Sequence, residues 1–149
     1  MKIIIGSDHR GFVLKEYLKK TFKSQVEFTD VGCDTEERCD YPQYAYTVVQ
    51  TMKAKPNSYG VLICGSGIGM VIAANRSPGI YAGLCWNSQI AKIAYAHDRI
   101  NVLALPSDYV SKTEAAAIFS QLISDWEKPL IQNDRYAERL RIIDVLFKI

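Results

Sequence analysis

Five short apolar runs punctuate the chain: 2-KIIIG-6, 26-VEFTDV-31, 60-GVLIC-64, 80-IYAGL-84 and 101-NVLAL-105. They favour β-branched residues and are too short for helices, so they predict strands. Between them, apolar residues recur at helical spacing near 10–23, 42–54, 67–76, 88–97 and 111–126. Strands apolar on both faces and joined by helical crossovers predict a five-stranded parallel sheet with helices on both sides, a doubly wound α/β architecture. A last segment, 134-DRYAERLRIIDVLFKI-149, predicts one extra helix, with Asp134 as its N-cap and Leu140, Ile143, Val145, Leu146 and Ile149 around a broad apolar face. With no sixth strand before it, that face packs either on the flank of its own sheet or on a second subunit, and packing at home is the simpler expectation. No repeat, linker or low-complexity tract interrupts the pattern, so residues 1–149 read as a single domain.

Composition narrows the partners. With 48% apolar and 23% charged residues, 149 residues make an ordinary globular chain that needs no staples. The formal charge is only +2, and the basic residues are scattered, which leaves no footprint for nucleic acid. Any bound anion is expected to be small. The opening MKIIIGSDHRG has too short an apolar core for a signal peptide. The uncharged stretch 56–75 is broken by four glycines and by Asn57, Ser58, Ser66 and Asn75, so no membrane span is expected. A cytoplasmic location follows. The cysteines at 33, 39, 64 and 85 form no C-x-x-C pair, which predicts reduced thiols and no zinc site.

Sheets of the Rossmann and flavodoxin kind bind ligands beyond the carboxyl ends of their strands, where the strand order reverses. Three loops fall there: Ser7-Asp8-His9, Cys64 to Gly69, and Pro106 to Asp108. The second is the most informative. Cys64 precedes glycines at 65, 67 and 69 and a helix, so its thiol is either a packed core side chain or a reactive group facing backbone donors. A nearby helix N-terminus is expected to lower its pKa. Familiar glycine-loop patterns fail here. A dinucleotide fingerprint needs glycine at position 70, a cysteine phosphatase needs arginine there, and the residue is Met70; no Gly-Lys-Ser/Thr follows for a Walker loop. A thiolate beside amide donors and the Ser66 hydroxyl suits proton abstraction next to a carbonyl, with the amides holding the oxyanion. A flavin- or nucleotide-binding module on the same fold stays open.

The ordered segments 6-GSDHRGFVLKEYL-18, 30-DVG-32, 40-DYPQYA-45, 63-ICGSGIGMVIAANR-76 and 97-HDRINVLAL-105, with Arg135 and Arg139, cover nearly the whole chain. Together they resemble the type B ribose-5-phosphate isomerases, in the wider group that includes galactose-6-phosphate isomerase subunits. The resemblance implies a metal-free and cofactor-free aldose-ketose isomerase of the pentose phosphate pathway, acting through an enediolate. By position, Cys64 resembles the base, and Ser66 a hydroxyl that assists proton movement. The amides of Gly65, Gly67, Ile68 and Gly69 match the anion hole. His97 and Asp8 match ring-opening residues, while His9, Tyr41 and Asp98 line the substrate pocket and Arg135 and Arg139 take the phosphate. A homodimer or dimer of dimers with shared active sites is implied as well. Isomerisation of allose or galactose 6-phosphate, or sugar-phosphate binding without catalysis, are the alternatives.

Three positions depart from that pattern. Where the resemblance leads one to expect glycine, a small residue and a phosphate-binding arginine after the fifth strand, the chain has Pro106, Ser107 and Asp108. An aspartate about 4 Å from a phosphate opposes binding by several kcal/mol at a protein-like dielectric. Asp98 stands for the usual asparagine and Tyr136 for the usual histidine. Arg10 or Arg99 is expected to supply the missing positive charge.

Overall fold

The computed structural model describes residues 1–128 and 135–147. Strands β1 (Lys2–Ser7), β2 (Glu27–Asp30), β3 (Ser58–Cys64), β4 (Ala82–Leu84) and β5 (Val102–Pro106) alternate with helices α1 (Phe12–Phe22), α2 (Tyr41–Ala54), α3 (Ile68–Ala74), α4 (Ser88–Asp98) and α5 (Lys112–Trp126). A final helix, α6 (Arg135–Phe147), follows. The strands form one parallel sheet in the order β2-β1-β3-β5-β4. Every predicted element is present. The fourth strand, at the edge of the sheet, is only three residues long; Ile80 and Tyr81 precede it, and the Tyr81 amide donates to Asn101 Oδ1 at 2.9 Å.

Alternation along the central strands divides the core in two. Ile3, Ile5, Val61, Ile63, Leu103 and Leu105 face α1, α4 and α5, whereas Ile4, Leu62, Cys64, Val102 and Ala104 face α2 and α3. Each fully buried Ile or Leu side chain contributes about 1.5–3 kcal/mol. Helix starts are marked locally. Asn87 accepts the Ile90 amide at 2.8 Å, and Ser111 and Glu114 form a reciprocal capping box at the head of α5.

Among the described residues three charged side chains are buried, Asp8, Lys15 and Asp125, and Lys15 lies deepest. Lys15 on α1 is 1% exposed, and its ammonium donates to Asp30 Oδ2 at 2.6 Å and to the Cys33 carbonyl at 2.7 Å. The end of β2 is thereby tied to α1. Asp30 also accepts from Lys19 at 2.5 Å and from the Gly32 amide at 2.9 Å.

Helix α6 meets the simpler expectation only in part, lying on the flank of its own chain without burying its apolar face. It leans on α4 and on the amino-terminal edge of the sheet, where Tyr81 donates its hydroxyl to the Asp144 carboxylate at 2.7 Å. None of its residues is fully buried, and Ile143, Val145 and Leu146 face solvent in the single chain. The physical reason is geometric: the core faces of the sheet are already covered by α1 to α5, leaving only a flank. Asp134 and Ile149 lie outside the described residues. Among the described residues, no helix is long and apolar enough to cross a membrane.

Candidate active site

The chain runs outward from β1 to β2 and then returns to place β3 on the other side of β1. At this reversal, the loops after β1, β3 and β5 meet around a cleft of about 230 Å³ lined by Asp8, Arg10, Tyr41, Cys64, Gly65, Ser66, Gly69, Asp108 and Tyr109. Backbone hydrogen bonds fix the loops to one another. The Asp8 amide donates to the Ile63 carbonyl at 3.2 Å, the Ser107 amide to the Cys64 carbonyl at 3.0 Å, and the Asp108 amide to the Gly65 carbonyl at 3.0 Å. The Ser107 hydroxyl lies 3.0 Å from the Arg10 carbonyl and 3.1 Å from that of Cys64, joining all three loops at one atom.

Glycines are required in the β3 loop for separate reasons. Gly67 adopts φ +73°, a left-handed conformation, and turns the strand into α3. At Gly69, a Cβ would come within 2.5 Å of the Tyr41 ring, which therefore packs directly on backbone. The turn aims amides at the thiol: Gly67 N–H donates to Cys64 Sγ at 3.2 Å. Ser66 Oγ accepts the Ile68 amide at 3.4 Å.

Cys64 is 4% exposed at the floor of the cleft. Burial pushes its thiol above the ordinary pKa, and the Asp8 carboxylate adds to that, while the N–H groups of Gly67, Met70 and Ser66 pull in the other direction. The expectation of a lowered value is therefore corrected. Helix α3 has only seven residues and begins four positions beyond the cysteine, and its favourable donors do not outweigh desolvation. A base of this kind is ionised less often but takes a proton more strongly once ionised.

Not every expected residue reaches this cleft. Asp8 does, with Oδ1 accepting the amides of Arg10 at 3.0 Å and Gly11 at 3.1 Å. His9 turns aside, its Nδ1 lying 3.0 Å from the Cys39 carbonyl oxygen and 3.3 Å from the Cys39 nitrogen, and so steadies the loop that leads to Tyr41. His97, Arg135 and Arg139 form a separate cluster on α4 and α6. The His97 ring stacks on Tyr136 with centroids 4.1 Å apart and planes 7° from parallel. Both guanidinium groups lie over the same tyrosine, at 5.1 Å and 5.6 Å from its centroid. The arginines thus share one helical face, as their spacing predicts.

Asp98 lines a hollow with Tyr81, Leu140 and Ile143. Arg99 occupies the left-handed C-cap of α4, with φ 49°, and lines a larger hollow of about 470 Å³ at the amino-terminal edge of the sheet. It does not line the Cys64 cleft. Of the two proposed compensating cations, Arg10 alone does, and it is paired with Asp108. Sequence reading passed over Tyr109, an exposed aromatic in the same cleft. A tyrosine one step past a strand-end loop carries no periodicity to flag it.

A sequence model described as Ribose/Galactose Isomerase matches residues 3–143. A probable ribose-5-phosphate isomerase B from Mycoplasma pneumoniae is 42% identical over 123 residues, covering 81% of each chain. The crystal structure of a ribose 5-phosphate isomerase from Thermotoga maritima superposes with a TM-score of 0.88 at 38% identity, over 97% of each chain. A ribose-5-phosphate isomerase B from Mycoplasma genitalium, solved with ribulose-5-phosphate bound, has a TM-score of 0.88 at 32% identity and covers 99% of this chain and 96% of its own.

Proposed function

As this chain belongs to the ribose/galactose isomerase family, we propose that it interconverts ribose 5-phosphate and ribulose 5-phosphate, with Cys64 as the base that moves a proton between C1 and C2. The observation that carries the mechanism is the thiol itself, held at the floor of a strand-end cleft with the Gly67 N–H on its sulfur. The thiolate removes the C2 proton of the open-chain aldose, and the electron pair moves toward the carbonyl oxygen at C1. The amides of Gly65 to Gly69 meet the oxyanion as charge develops. Ser66 passes a proton between the substrate oxygens, and Cys64 returns its proton to C1. Tyr41 borders the sugar, and His9 supports the loop that carries it.

The test is isomerisation of ribose 5-phosphate by the purified protein without added metal, beside allose and galactose 6-phosphates. Turnover of a hexose phosphate alone would replace the pentose as substrate. The pH profile has a defined sign. A raised thiol pKa predicts that kcat/KM climbs with pH and bends above the ordinary thiol value of about 8.5. A plateau already reached at pH 7 would exclude a thiol with that titration as the base.

The second cluster supplies the rest of the reading. His97 would open the sugar ring, with Asp8 acting on the same ring, while Arg135 and Arg139 hold the phosphate. Because these three residues of α4 and α6 lie outside the Cys64 cleft, the active site is completed by a second copy of the chain. The exposed apolar face of α6 supports this homodimer. Cys64→Ala and His97→Ala proteins should each be inactive, yet subunits mixed by joint refolding should regain about a quarter of wild-type activity, since random pairing restores one intact site in half of the dimers. No regain on mixing would place both residues in one subunit's site. The four cysteines are unpaired thiols, which suits the reducing cytoplasm we assign to it.

A further inference from the structure

Arg10 and Asp108 line the Cys64 cleft and form an ion pair between Nη2 and Oδ2. Both backbones are pinned by the turns that hold the cysteine. Asp8 accepts the Arg10 amide at 3.0 Å, Ser107 Oγ lies 3.0 Å from the Arg10 carbonyl, and the Asp108 amide donates to Gly65 at 3.0 Å. The pair sits directly over Gly65, where a Cβ would come within 2.7 Å of Arg10 Nε and 2.8 Å of Asp108 Oδ2. Any larger residue at 65 would displace it.

We propose that Arg10 binds the phosphate of the substrate in this cleft and that Asp108 is a positioning residue that holds the guanidinium over Gly65. This rests on the sugar-phosphate isomerase reading. The argument is one of geometry and charge. A guanidinium carries five N–H donors, and Asp108 engages Nη2, leaving donors on the remaining nitrogens for a phosphoryl oxygen. The Arg10 side chain is 57% exposed, so without its partner it would lose more freedom on binding. The pair has no net charge, so its contribution is local and directional. Asp108 alone, by contrast, would repel an anion entering the cleft.

That contrast gives the effect of Asp108 opposite signs in two backgrounds. KM and kcat for ribose 5-phosphate, together with Ki for inorganic phosphate as a competitor, should be measured for wild type, Arg10→Ala, Asp108→Ala and the double variant. Arg10→Ala is expected to raise KM and Ki about ten- to a hundredfold, with kcat much less affected. Asp108→Ala should raise both constants in the presence of Arg10 but lower them in the Arg10→Ala background. Arg10→Lys should recover only part of the loss, because it restores charge without the fork.

An unchanged Ki in Arg10→Ala would overturn the proposal. So would a lower KM in Asp108→Ala with Arg10 present, since Asp108 would then act only as a repulsive charge. If the wild type does not isomerise ribose 5-phosphate, the substrate reading fails separately. Calorimetry with inorganic phosphate on the same variants then decides the clamp, weaker binding in Arg10→Ala supporting it and equal binding sinking it. Arg10→Gln and Asp108→Asn repeat the comparison where an alanine variant misfolds.

Discussion

Cys64→Ala should reduce kcat for ribose 5-phosphate by about 10²–10⁴-fold, the range that a positioned general base supplies. That corresponds to roughly 2.7–5.5 kcal/mol of lost transition-state stabilisation. KM should change little, because the buried sulfur lies at the floor of the cleft and the proposed phosphate ligands are other residues. Loss of the fold is not the expected cause. The substitution removes one atom from the cluster shared with Leu62, Met70 and Ala74 and should cost only about 1 kcal/mol, which a thermal melt would verify. Cys64→Ser sharpens the test, since a hydroxyl of nearly the same size is far too weak a base. Wild-type turnover in either variant would assign proton transfer to another group.

The largest expected effect on stability comes from Asp30→Ala. It would strand the Lys15 ammonium, 1% exposed, with the Cys33 carbonyl at 2.7 Å and the Glu16 carboxylate at 3.3 Å as remaining partners. Removing one member of a buried pair typically costs about 3–5 kcal/mol, a sizeable share of the roughly 5–15 kcal/mol that holds a domain together. Replacing both members, as in Lys15→Met with Asp30→Leu, should cost less than Asp30→Ala alone, and urea melts of wild type and the two variants measure the difference. Equal losses would show that Lys15 draws little from Asp30.

The pH dependence of this pair follows from the direction of the shift. Burial acts to raise the Asp30 pKa, but hydrogen bonds from Lys15, Lys19 and the Gly32 amide outweigh it and leave the value lowered. Asp30 therefore contributes its full stabilisation above the ordinary carboxylate pKa of about 3.9 and loses it as pH falls through the lower folded value. The gap between wild type and Asp30→Ala should persist at neutral pH and close in acid.

How much of this was legible in the sequence depended on the range of the interaction. Runs such as 2-KIIIG-6 and 60-GVLIC-64 declare strands because their neighbours cover both faces, and the rule that ligands sit at strand ends then located Asp8, Cys64 and Ser66 without coordinates. Properties set by distant residues were hidden. The titration of Cys64 depends on desolvation by side chains of α2 and α3, which no local spacing encodes. The pairing of Arg10 with Asp108 joins residues 98 positions apart. Lys15 has the helical spacing of a buried position, but a lysine there reads as solvent-facing until Asp30 is seen beside it. The α6 pattern revealed an apolar face and could not say whether the chain's own core had room for it.

The order of the strands also constrains when activity can arise during synthesis. β1, β3 and β5 are adjacent in the sheet but far apart along the chain, and their parallel pairing closes long loops before any contact is gained. A nascent chain that has released β1 and β3 from the ribosome already carries the thiol, yet it lacks the turn after β5 that pins Cys64 and Gly65 through their carbonyls. The reactive loop is thus the last part of the cleft to become rigid. Catalytic competence should therefore appear abruptly and late, once α6 (Arg135–Phe147) has also emerged and a second copy has docked, with no partially active intermediate before it.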